Sequence, residues 1–75
     1  MAIVQRFLKI RETEQEVEYT YGFPEMDRFL TIQKGSGEFT VADGREDHAT
    51  WAVFWGIMRR QRAESTWPSG GGVQH

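Results

Sequence analysis

The sequence predicts an α+β fold: a four-stranded antiparallel β-meander (ββββ) with one C-terminal α-helix packed on one face of the sheet. Three features lead there. Apolar and polar residues alternate from Ile3 to Ala42, the period lengthens to that of a helix from Asp43 onward, and the turns between carry glycine, proline and aspartate. With 75 residues the chain has room for one core, expected over residues 1–66, and the stretch 67–75, ending "PSGGGVQH", reads as a flexible C-terminal tail.

The strands are marked in turn by Leu8 and Ile10, by Val17, Tyr19 and Tyr21, by Leu30 and Ile32, and by Phe39 and Val41. Facing residues on paired strands share a side of the sheet, so the turns check the assignment. A loop over Glu12–Gln15 sets Ile10 opposite Val17 and Leu8 opposite Tyr19, with Lys9 against Glu18 and Arg11 against Glu16 on the other side. Such opposed charges each contribute a few tenths of a kcal/mol to about 1 kcal/mol, so the acidic second strand is a solvated face with its cations supplied. A two-residue turn at Gly35-Ser36 sets Ile32 opposite Phe39 and Leu30 opposite Val41. Between the second and third strands, "GFPEMDR" supplies turn residues and leaves Phe23 and Met26 at the rim.

The helix is expected from Gly44 to Glu64, with Asp43 as N-cap and Glu46 completing a capping box. On a helical wheel Trp51, Phe54, Trp55 and Met58 form one arc, widened by Val53 and Ile57, and this arc is expected to cover the sheet. Arg59, Arg60 and Arg62 then complement the negative end of the helix dipole.

Composition narrows the function classes. The net charge of −2 argues against a protein devoted to gripping phosphates, and the absence of cysteine removes thiolate metal sites and disulfides. His48 and His75 have no partner at metal-ligand spacing, and acids such as Asp43, Glu46 and Asp47 belong at a helix start for dipole reasons. No phosphate loop or nucleophile motif is present, so the chain is expected to be no enzyme, with no cofactor and no metal. The weakly polar run Ala49–Met58 is shorter than the ~20 residues of a membrane span. The opening "MAIVQRFLKIRE" lacks the order of a signal peptide, which points to the cytoplasm and to no membrane partner. Seven arginines against two lysines suggest a GC-rich bacterial source.

What remains is binding. Alternation sends Ile3, Phe7 and Phe29 to the uncovered sheet face, with Phe23 and Met26 beside them, an apolar patch larger than a monomer usually shows. The competing account is that Trp67 and Val73 fold back over it. A second surface is the small-residue helix stripe containing Ala52 and Gly56, which equally suits close packing on the sheet. These residues predict a protein–protein interaction module: an accessory, adaptor or inhibitor of a larger bacterial protein, or a homodimer. The alternative is weak nucleic-acid binding, with sheet aromatics stacking on bases and Arg59, Arg60 and Arg62 holding phosphates.

Overall fold

The computed structural model describes residues 4–74, and the side chains of 4–73. In chain order the elements are β1 (Val4–Glu12), β2 (Glu16–Gly22), β3 (Arg28–Gln33), β4 (Phe39–Val41), α1 (His48–Glu64) and β5 (Gly70–Gln74). The fold is α+β with an antiparallel sheet and one helix, but the sheet has five strands, in the order β4-β3-β2-β1-β5. The first four form the expected meander. The expectation of a tail is corrected for Gly70–Gln74, which pairs antiparallel with β1 from Val4↔Gln74 to Leu8↔Gly70. The helix is therefore followed by a strand and is not the last element.

The middle glycine of the three is needed in this strand because α1 comes close. The helix lies nearest β5 and β1. A Cβ on Gly71 would overlap the Arg60 guanidinium and lie 3.2 Å from the Phe7 ring, and one on Gly56 would overlap a Val73 methyl. Absent side chains are what let helix and edge strand meet. Arg60 Nη1 then donates to Gly70 O at 2.7 Å, and Lys9 N donates to Ser69 O at 2.8 Å, fastening the segment at both sides.

The core combines Phe7, Val17, Tyr19, Tyr21, Leu30 and Ile32 from the sheet with Val53, Phe54 and Ile57 from the helix. The expected pairs Ile32↔Phe39 and Leu30↔Val41 are present, although the turn is wider than Gly35-Ser36 and its positive φ falls on Gly37. The first hairpin differs. Thr13 Oγ1 accepts from the amides of Gln15 and Glu16, which tightens the loop, and the register then shifts between Lys9 and Arg11. Lys9, not Leu8, stands opposite Tyr19, and Leu8 stands opposite Thr20. A one-residue slip exchanges the faces of a strand. Phe7 is consequently 2 % exposed and packs edge-on against Tyr19, while Leu8 and Ile10 are each 47 % exposed.

The helix begins later than expected. Asp43 instead closes a turn by accepting from Arg45 N, and Asp47 is the N-cap, its side chain accepting from Thr50 N at 3.0 Å. Arg28 connects this end to the sheet: it donates to Asp43 and Asp47 and lies over the Tyr21 ring, 5.0 Å from its centroid. Burial alone would raise the Asp47 carboxyl, but the Thr50 amide, the Arg28 guanidinium and the Thr50 hydroxyl outweigh it and hold the group well below the usual carboxylate range. Tyr21 Oη and Thr50 Oγ1 share a hydrogen bond of 2.7 Å, and Tyr19 Oη donates to Pro68 O at 2.7 Å, so both buried phenols are satisfied.

Candidate protein-binding groove

The helix buries Thr50, Val53, Phe54, Gly56 and Ile57. This arc is rotated from the expected one, which also included Trp51 and Trp55. Gly56 explains the rotation: the helix approaches β5 too closely for an indole to lie between them, so the tryptophans move to the flank. The same approach draws the helix toward one edge of the sheet, and toward the β4 edge the long side chains Trp51, Phe54 and Met58 reach across to Phe39.

These side chains form a continuous cluster. Phe39 stacks on Phe54 with ring centroids 4.4 Å apart and meets Trp51 edge-on at 5.0 Å, and Trp51 lies nearly parallel to Trp55 at 6.3 Å. Trp51 is nevertheless 41 % exposed and Trp55 52 %. Between helix and hairpin they leave a groove of about 520 Å³ lined by Gly37, Glu38, Phe39, Trp51, Phe54, Trp55, Met58 and Arg62. A smaller hollow of about 260 Å³ continues it past Trp55 and Met58 to Arg59 and Arg62. Among the described residues, Arg59, Arg62 and Glu38 make no ion pair, whereas Arg11 bridges Glu16 and Glu18, and Lys9 and Lys34 both hold Glu12.

The residues singled out from the sequence are dispersed. Ile3 lies outside the described residues. Phe7 is in the core, and Gly56 is buried against Val73, so neither offers a surface, and Ala52 is half-buried. Phe23, Met26 and Phe29 are exposed as expected, now accompanied by Leu8 and Ile10. The loop carrying Met26 is held by Thr20 Oγ1, which donates to Met26 O at 2.7 Å. Trp67 and Val73 pack on the helix-side core and leave Phe29's face open.

The basic cluster is divided: Arg60 is engaged with β5, while Arg59 and Arg62 remain on the exposed helix surface. Phe29 projects from the sheet face opposite the helix, away from these arginines; the aromatics that share a lining with Arg62 are Phe39 of β4 and, from the helix, Trp51, Phe54 and Trp55. Trp51 and Trp55 are the residues sequence reasoning missed as surface. Their signal was their spacing, i and i+4, one step to the side of the 50/53/57 stripe.

Among the described residues no helix is long and apolar enough to cross a membrane, and no group of three or more His, Cys, Asp or Glu could hold a metal ion. Comparison of the chain with protein-family models, curated proteins and solved structures finds no match.

Proposed function

We propose that the chain is a small non-enzymatic protein-interaction module, an accessory, adaptor or inhibitor that binds a larger protein through the groove between α1 and the β3–β4 hairpin. One observation carries this reading: two tryptophans, the side chains most enriched in binding hot spots, stand about half exposed beside a concavity large enough to seat another chain's side chains. The patch of Leu8, Ile10, Phe23, Met26 and Phe29, of which Leu8 and Met26 line a hollow of about 550 Å³, is a second surface, where a second copy of the chain is the competing occupant. Stacked indoles beside Arg59 and Arg62 also support the alternative of weak nucleic-acid binding.

Photocrosslinking separates these readings. Benzoylphenylalanine replaces Trp55 in one tagged variant and Phe29 in another, each expressed in the cells that make the protein. A discrete protein adduct from position 55 that survives nuclease is the expected result. An adduct removed by nuclease transfers the groove to nucleic acid, and a dimeric adduct from position 29 alone transfers function to the sheet face.

A further inference from the structure

Resting on the protein-binding reading, the geometry points to a particular occupant for the groove: we propose that it receives an extended acidic peptide segment that pairs with the free edge of β4, placing apolar side chains against Trp51 and Trp55 and carboxylates against Arg59 and Arg62.

The edge supplies the backbone partner. Gln33 N donates to Glu38 O and Ala42 N donates to Phe29 O, so Glu38 and Ala42 turn toward β3. In an antiparallel ladder the intervening odd residues then direct their amide and carbonyl groups outward. Phe39 can therefore exchange two backbone hydrogen bonds with one residue of an added strand, whereas the Val41 carbonyl already accepts from Gly44 N at 2.9 Å. The usable edge is short. A peptide bound there needs side-chain anchors as well.

The groove supplies them at the right position. A residue paired with Phe39 points to the same side of the sheet as Phe39, which is the helix side, and so enters the concavity beside Trp51. Neighbours two residues away on the added strand point the same way and follow the groove toward Trp55 and Met58.

Charge selects the peptide. Two guanidinium groups, Arg59 and Arg62, line the groove and its extension against one carboxylate, Glu38, and none of the three makes an ion pair among the described residues. The other cations toward this end of the sheet are already committed, Lys9 and Lys34 to Glu12 and Arg11 to Glu16 and Glu18. An acidic partner gains complementary charge at this site and a basic one meets repulsion.

The test is selection of a displayed library of short random peptides on the full chain, on Trp55→Ala, and on the double charge reversal Arg59→Glu/Arg62→Glu. The substituted side chains are exposed, and thermal melts check that each variant folds. Expected from the wild type are peptides alternating large apolar residues with Asp or Glu, lost on Trp55→Ala, and weakened about tenfold or more by the charge reversal, which in turn selects Lys- and Arg-bearing peptides. Trp55-dependent peptides without acidic bias overturn the acidic-peptide proposal and leave the protein-binding reading standing. Absence of any Trp55-dependent peptide, together with binding of a fluorescent oligothymidine that weakens on charge reversal and disappears at moderate salt, overturns both.

Discussion

Phe7 and Leu8 are adjacent apolar residues on one strand, and a bulge decides which of them holds the core. Both phases of β1 carry apolar side chains, so alternation did not discriminate between them, and nothing in "RFLKIRE" announces the shift between Lys9 and Arg11. Phe7→Ala is expected to cost about 3–5 kcal/mol in urea unfolding, because it removes a fully buried ring, and Leu8→Ala less than about 1 kcal/mol. For the same reason Phe7→Glu tests folding and not an interface. Asp47 was legible as an acid near the helix start, but the capping role went to Asp43 on sequence grounds because a glutamate lies three residues beyond it. Asp47→Ala should cost about 1 kcal/mol at neutral pH through the lost cap. The folded-state pKa of Asp47 is depressed, so its contribution is fully present above the unfolded carboxylate value of about 3.9 and is lost as pH falls below it toward the folded value. Acid titration of stability should therefore fall less steeply below about pH 4 in Asp47→Ala than in the parent.

At the scale of elements, the helix and β5 are a matched pair. The periodicity of α1 was readable, and its C-terminal end at Glu64 agrees with the structure, closed by Ser65 in the left-handed region with its N–H donating to Gln61 O. Its rotation was not readable, because it depends on Gly56 meeting Val73 across a strand that the triple glycine concealed. Glycine has low strand propensity, and only the packing partner reveals why it is needed. Gly56→Ala is expected to destabilise the fold even though alanine is favoured over glycine in a helix interior by about 1 kcal/mol. Val73→Ala, which removes the opposing methyls, should restore part of the loss, and a double-mutant cycle by chemical denaturation measures that coupling. Deleting residues 70–75 should lower the unfolding midpoint markedly and broaden the transition, since it bares the β1 edge and uncovers Gly56. An unchanged midpoint would mean that β5 contributes nothing to stability.

Across the whole molecule, the fold class and the meander followed from alternation and turn chemistry, whereas the candidate site depended on where a helix lands on a sheet. Phe39, Trp51, Trp55 and Met58 were all recognised as apolar, yet a wheel shows which residues share a side and not how closely that side can approach its sheet. Because Gly56 and Gly71 hold α1 toward β5, the opposite edge is left to the long side chains of Trp51, Phe54 and Met58, and the groove is the space they do not fill. On the proposal made above, this groove, and not the open sheet face, is where a partner binds. The most direct test is a titration of the nitrogen-15-labelled chain with the strongest selected peptide, following the three indole N–H signals and the amides of β1 and β3. The Trp51 and Trp55 indoles should shift together and saturate at one affinity while that of half-buried Trp67 stays in place. Shifts confined to the amides around Leu8, Ile10 and Phe29, with the Trp51 and Trp55 indoles unmoved, would contradict it.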